Sequence, residues 1–158
     1  MKYSDTLFLK IVITFVGIAV AAGLVYFPQT EGRAVNLDLI SIYSDPFIIY
    51  VYLGSMPFFF GLYQAIKLLT LIDHNKAFTQ QAVNTLKYMK QASLTLIAGI
   101  LMAMIYIRFF AHGDDPAGPM MLGICMNVAF AAIATAAGIF QKLFQNAVDL
   151  KKENDLTV

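Results

Sequence analysis

Four long apolar runs, separated by polar connections, dominate the order of hydrophobic and polar positions along this chain. They cover about residues 7–27, 46–69, 92–111 and 119–140. Because about 20 apolar residues in a helix cross the hydrocarbon core of a bilayer, each run is long enough for one transmembrane helix. The first run exceeds the apolar stretch of about 7–15 residues in a cleaved signal peptide and is expected to stay in the protein. The pattern predicts an all-α fold class, an integral membrane four-helix bundle, as a single domain over residues 1–158.

The composition supports lipid as the solvent for most of this chain. Hydrophobic residues make up 59% of it and charged residues 13%, about half the share of charge that soluble domains carry. A net charge of +1 also argues against direct binding to nucleic acid, because phosphate recognition needs a concentrated basic surface.

The basic residues are distributed unequally between the two sides of this topology. Nine of the eleven lie in the N-terminal segment, the middle connection and the C-terminal segment, namely Lys2, Lys10, Lys67, Lys76, Lys87, Lys90, Lys142, Lys151 and Lys152. Arg33 and Arg108 are on the other side. Because loops rich in Lys and Arg stay in the cytoplasm, we expect both termini to be cytoplasmic.

Three segments outside the runs show local order in their patterns. Apolar residues recur at helical spacing over Phe78–Tyr88, and the last run continues as a helical extension over about residues 141–153. These two amphipathic segments either lie against anionic lipid of the inner leaflet or pack on each other, and the pattern leaves both open. In the first connection, Val35–Tyr43 partly alternates, which predicts a short strand or an interfacial turn.

Small residues and tyrosines give further expectations within the runs. The last run is rich in Ala and Gly, and Ala134 and Gly138 form a small-xxx-small pair. Because small residues let helix backbones approach closely in lipid, we expect this helix at the centre of the bundle. Tyr50 and Tyr106 are expected to belong to the aromatic belts at the membrane interfaces.

Pro57 and Asn127 are the candidates for a kink or a cavity within the runs. Pro57 removes one hydrogen bond from its helix, and Gly54 and Gly61 flank it, so we expect a kink that either lines a gate or is simply tolerated. Asn127 lies near the middle of the last run. It either forms an interhelical hydrogen bond, worth about 0.6–2 kcal/mol, or gives a cavity a polar lining.

Ionisable residues within the runs, cysteines and histidines are scarce, and this excludes several classes of protein. No ionisable residue lies in a run away from its ends, so a proton-coupled exporter with a membrane-embedded carboxylate is excluded. Cys125 is the only cysteine, which excludes a disulfide and a dithiol redox centre. His74 and His112 are on opposite sides of the membrane in this topology. We therefore predict no catalytic residue, no cofactor site and no metal site, and a protein that is not an enzyme.

Two segments carry a resemblance to a known family. One is Lys76-Ala77-Phe78-Thr79 followed by Leu86, and the other is the C-terminal stretch from Leu143 to Val158, which ends in Glu-Asn-Asp-Leu-Thr-Val. With the four-span layout, they resemble a family of small bacterial inner-membrane proteins catalogued as a domain of unknown function. Members are often encoded beside a small helix-turn-helix regulator. The resemblance implies the bacterial plasma (inner) membrane and a soluble cytoplasmic regulator as partner.

Our functional hypothesis is a membrane protein whose cytoplasmic face binds or signals to that soluble partner. The candidate partner-facing residues are Phe78, Thr79, Leu150, Leu156 and Val158. The stretch Leu156–Val158 either adds a strand to a partner's sheet or frays as a chain end. The alternative hypothesis is a small-solute transporter or channel component that acts as a homo-oligomer, with Pro57 and Asn127 on its pathway.

Overall fold

The computed structural model describes residues 3–30, 38–110 and 116–156, and these residues are almost entirely helical. Its elements are α1 (Tyr3–Thr30), α2 (Leu39–Tyr43), α3 (Pro46–Asp73), α4 (Gln80–Phe110) and α5 (Ala117–Leu156). The described ranges contain no β-strand. Four helices, α1, α3, α4 and α5, are long and apolar enough to cross a membrane. The predicted fold class, an all-α membrane bundle of four helices, is confirmed.

The helix ends follow from local residue chemistry. Helix α3 begins at Pro46, whose missing N–H needs no partner there, and the carboxylate of Asp45 accepts a hydrogen bond from the N–H of Phe47 at 2.7 Å. In the first connection, Leu39–Tyr43 forms the short helix α2. The strand alternative for this stretch is therefore wrong from Leu39 onward. A helical turn pairs its own backbone groups, whereas a lone strand needs a neighbour.

The four long helices pack mainly in chain order. Helix α1 packs on α3, α3 on α4, and α4 on α5. Between α3 and α5 the rings of Phe58 and Phe130 are 6.4 Å apart. Among the described residues the inner helices are thus α3 and α4. The expectation that the last run lies at the centre is wrong, because its small residues admit one close neighbour, α4, and α5 forms an edge.

Tyrosine hydroxyls connect neighbouring helices through backbone carbonyl groups. Tyr50 donates to the carbonyl oxygen of Gly99 at 2.6 Å, and Tyr52 donates to that of Leu24 at 2.7 Å. The ring of Tyr106 stacks on Phe47 with centroids 6.0 Å apart. Tyr50 and Tyr106, expected in the interfacial belts, thus have partners inside the bundle. Their depth in a bilayer stays a prediction.

A left-handed residue ends α3 and turns the chain toward α4. Asn75 has φ 56°, and its N–H donates to the carbonyl of Ile72 at 3.0 Å. The N–H of Lys76 donates to the carbonyl of Leu71 at 2.8 Å. This pair of bonds is the Schellman motif, in which Gly, and less often Asn, occupies the left-handed position.

Asn75 gives a test of this helix end. Asn75→Val should lower the free energy of unfolding by about 1–2 kcal/mol, because a side chain branched at Cβ is strained in the left-handed region. Asn75→Gly should leave stability unchanged or slightly raised, since Gly adopts this conformation without strain. Thermal unfolding in detergent micelles measures both variants. Equal melting temperatures for the two would contradict this account.

Candidate functional site

The deepest burial in the molecule is at one end of the bundle. We call this the lysine-rich end: residues 3–10 of α1, 67–90 of α3, its loop and α4, and 139–156 of α5. Seven buried side chains lie there, those of Thr6, Leu71, Ala82, Val83, Thr85, Leu86 and Val148. Ala82 is 0% exposed and Leu86 3%. These side chains form a compact core where α1, α3, α4 and α5 end or begin.

The lengths of α4 and α5 agree with a projection beyond the membrane. Helix α4 has 31 residues and α5 has 40, which corresponds to about 46 Å and 60 Å at 1.5 Å per residue. The hydrocarbon core is only about 30 Å thick. Both helices therefore have one or more turns in excess of a span, and the excess of α5 contains the predicted helical extension over residues 141–153.

The two amphipathic segments pack on each other. The amide of Gln80 donates to the side-chain oxygen of Gln145 at 3.2 Å, and the rings of Phe78 and Phe144 are 5.3 Å apart. Val148 is buried between these elements at 6% exposure. The structure thus answers the question that the sequence pattern left open, in favour of mutual packing.

An ion pair holds the beginning of α1 to the end of α3. Lys10 Nζ and Asp73 Oδ2 are 2.6 Å apart, and the two side chains are 25% and 8% exposed. The side chain of Thr6, which is 1% exposed, also hydrogen-bonds Asp73. In the sequence, Lys10 is only one of the lysines that predict the cytoplasmic side. Nothing in the pattern pairs it with a carboxylate 63 residues away.

The candidate partner-facing residues do not form one patch. Phe78 is 57% exposed beside Phe144, whereas Leu150 is 66% exposed and two residues beyond buried Val148, so it points away from α4. Thr79 has a structural role, since its hydroxyl donates to the carbonyl of Lys76 at 2.8 Å and accepts from the N–H of Ala82 at 3.4 Å at the start of α4. Leu156 is the last residue of α5, and Val158 lies outside the described residues.

Pro57 and Asn127 also lie apart. Pro57 borders an open groove of about 330 Å³ between α3 and α4; the other residues lining it are Met56, Phe60, Tyr88, Gln91, Ala92 and Thr95. Asn127 faces α4, where its Nδ2 is 3.6 Å from the sulfur of Met104. Helix α3 continues through Pro57, and the kink stays a prediction. The groove beside Pro57 is not lined by Asn127.

Two buried amide oxygens have no hydrogen-bond partner within the described part of the chain, Oε1 of Gln64 and Oδ1 of Asn127. Gln64 is 4% exposed. No role was predicted for it, although a lone Gln in an apolar run was a visible signal. Elsewhere in the described ranges, no three His, Cys, Asp or Glu side chains come together as a metal site would require. We take the surface at the lysine-rich end as the candidate functional site.

Comparison with known proteins relates this chain to a membrane protein. Residues 28–158 match the model of the family described as "Protein of unknown function (DUF2975)". The chain is 36% identical over 160 residues to the "Uncharacterized membrane protein YoaS" of Bacillus subtilis (strain 168), and the match covers 100% of both chains. No solved structure matches the chain.

Leu86 and Leu94, both on α4, test whether the lysine-rich end is a packed core. Leu86→Ala should lower the free energy of unfolding by about 2–5 kcal/mol, because it leaves a cavity among buried side chains. Leu94 is 49% exposed, and Leu94→Ala should change stability by about 0.5 kcal/mol or less. Limited proteolysis of the membrane-embedded protein follows the opening of this end. If both variants are cut at the same rate, the core has no special role.

Proposed function

Because this chain belongs to the DUF2975 family of proteins of unknown function, we propose its function from its own geometry. It is a multi-pass membrane protein. In our proposal it is not an enzyme, it resides in the bacterial inner membrane with both termini in the cytoplasm, and its cytoplasmic face binds a soluble partner. The lysine-rich end is that face, since it carries eight of the nine lysines on which the predicted orientation rests.

The observation that carries this proposal is the compact core at the lysine-rich end. A protein that served only inside the bilayer would need no packed projection beyond it. Here the Gln80–Gln145 hydrogen bond and the buried Val83 and Leu86 hold the beginning of α4 against the end of α5. A rigid surface costs less conformational entropy on binding than a flexible one, which suits a docking platform.

The aromatic patch is the part of this platform that best fits a protein partner. We define it as Phe78, Phe140 and Phe144, whose rings follow one another at 5.3 Å and 6.5 Å. Phe78 is 57% exposed and Phe140 51%. Aromatic side chains are enriched in the cores of protein interfaces because they bury a large area. The small helix-turn-helix regulator that the family resemblance implies is the expected partner, and DNA is not contacted directly.

The transporter hypothesis has one supporting feature, the groove beside Pro57. Its wall contains the polar side chains of Gln91 and Thr95, and Gln64 and Asn127 each have a buried oxygen without a partner. Asn127, however, faces Met104 on the other side of α4. A solute path through both candidates would have to cross that helix. We therefore keep transport as the second candidate function.

Phe78→Glu tests the aromatic patch. The added carboxylate would have to be desolvated in an apolar interface, so the amount of the neighbouring regulator that sediments with membranes should fall about tenfold or more. Phe109→Glu is the matched control, because Phe109 is 69% exposed at the opposite end of the bundle. Co-expression, membrane sedimentation and immunoblotting give the measurement. If membranes with the Phe78→Glu variant bind as much regulator as membranes with the unchanged protein, the aromatic patch is not the docking surface.

Solute flux through proteoliposomes tests the alternative. If the groove is part of a pathway, Pro57→Ala should change the flux rate, because it restores a backbone hydrogen bond donor to α3. Phe78→Glu should leave that rate unchanged. Flux equal to that of protein-free liposomes, for neutral solutes of several sizes, would exclude transport by the purified protein.

A further inference from the structure

A lysine of α4 lies directly against the backbone of α5. The stem of Lys90 covers Gly138, and its Cδ, Cε and Nζ atoms are 3.6, 3.7 and 3.7 Å from the point where a Cβ of Gly138 would lie. Lys90 is half-buried in this position. Because the apolar stem of a lysine packs readily on an apolar surface, the contact holds the ammonium group beside α5 at the edge of the helix pair.

A second lysine approaches the same turn from α5 itself. Lys142 follows Gly138 by four residues and therefore lies on the same face of the helix. Contacts between α4 and α5 run in opposite order along the two helices, so the pair is antiparallel. A helical side chain leans toward the N-terminus of its own helix and covers the preceding turn. Lys90 and Lys142 thus lean toward each other, and we expect both ammonium groups over the turn that contains Gly138.

The two lysines have no carboxylate to neutralise them. Neither has an ion-pair partner among the described residues. The next acidic residue along α5, Asp149, accepts a hydrogen bond from the amide of Gln145. On α3, Asp73 is already paired with Lys10. Two ammonium groups over one turn repel each other, and an anion bound between them would remove that repulsion.

The two lysines lie at the level expected for lipid headgroups. Lys90 comes two residues before the predicted span 92–111, and Gly138 lies two residues before the end of the predicted span 119–140. Basic residues between transmembrane helices at this level bind the phosphate groups of anionic lipids. Gln141, half-buried three residues after Gly138, offers an amide group as a neutral hydrogen-bond donor to the same phosphate.

We propose that Lys90 and Lys142 bind a phosphate group, that of an anionic phospholipid in the leaflet at the lysine-rich end. A lipid is favoured over a soluble phosphate compound by the surface next to the two lysines. Leu94, one turn further into the span on the same face of α4 as Lys90, is 49% exposed and offers an apolar surface to an acyl chain.

This lipid site is separate from the aromatic patch. Lys142 is rotated by about 160° around α5 from Phe140. A lipid headgroup on the two lysines therefore leaves the aromatic patch open to a soluble partner.

Binding of phosphatidylglycerol to the purified full-length protein in detergent micelles tests the proposal, and native mass spectrometry measures the bound lipid. Lys90→Gln combined with Lys142→Gln should weaken binding about tenfold or more, because each lysine near a headgroup contributes about fivefold. Lys142 is exposed, so Lys142→Gln alone should fold like the unchanged protein and still weaken binding about fivefold. Unchanged binding by both variants would overturn the proposal.

Lys151→Gln combined with Lys152→Gln is the matched control. It removes the same charge from exposed positions of the same helix, about 20 Å further along from Gly138. It should change the affinity for phosphatidylglycerol by about twofold or less, because it leaves the two site lysines intact. A loss equal to that of the Lys90 and Lys142 double variant would show that only net charge matters, and would overturn the proposal.

Phosphatidylcholine and inorganic phosphate identify the ligand. Phosphatidylcholine has no net charge and should bind more weakly than phosphatidylglycerol; equal binding of the two lipids would overturn the proposal. Inorganic phosphate should fail to displace phosphatidylglycerol at an equal concentration. Displacement would assign the site to a soluble phosphate compound and overturn the lipid as its source. Phe78→Glu should leave lipid binding unchanged, so this test is independent of the docking of a regulator.

Discussion

The packing of α4 against α5 is the interaction on which the rest of this structure depends. Two different forces hold one continuous helix pair together. In the predicted span, contact depends on shape: a Cβ added to Gly123 would lie 2.8 Å from the sulfur of Met104, so the Met104 side chain packs directly on the backbone of Gly123. At the lysine-rich end the same pair is held by hydrophobic burial of Val83 and Val148. One helix pair thus continues from the predicted span into the lysine-rich end.

The order in which the helices pack explains why the functional features are spread out. Because α1, α3, α4 and α5 follow one another mainly as neighbours, each inner helix has two different surfaces. Helix α4 has the groove with Pro57 on one side and Met104 with Asn127 on the other. An edge helix, by contrast, keeps one entire face open. The exposure of Phe140 in the aromatic patch is a consequence of α5 being such an edge.

Hydropathy and charge were enough to predict the four helices, because lipid imposes the same requirement on every span. The relation between the helices was harder to predict. The apolar residues of Phe78–Tyr88 indicate a buried face, but helical periodicity does not say which surface covers it. The small residues of α5 were read as a sign of a central helix, although small side chains show only that something approaches closely. Lys10 and Asp73 are far apart in sequence, and no local pattern relates them. Thr79 was predicted as a recognition residue because it lies in a segment that carries the family resemblance; its hydrogen bonds at the start of α4 could not be predicted from that resemblance.

The ion pair between Lys10 and Asp73 has a consequence for how the protein enters the membrane. Lys10 is synthesised 63 residues before its partner, so α1 reaches the translocation machinery with that ammonium group unpaired by Asp73. In the proposed topology, its full charge then adds to the signal that retains the N-terminus in the cytoplasm. Once α3 has been inserted, the carboxylate of Asp73 neutralises the same group and ties α1 to the bundle. One lysine thus acts in turn as a topogenic signal during biogenesis and as a structural contact in the finished protein.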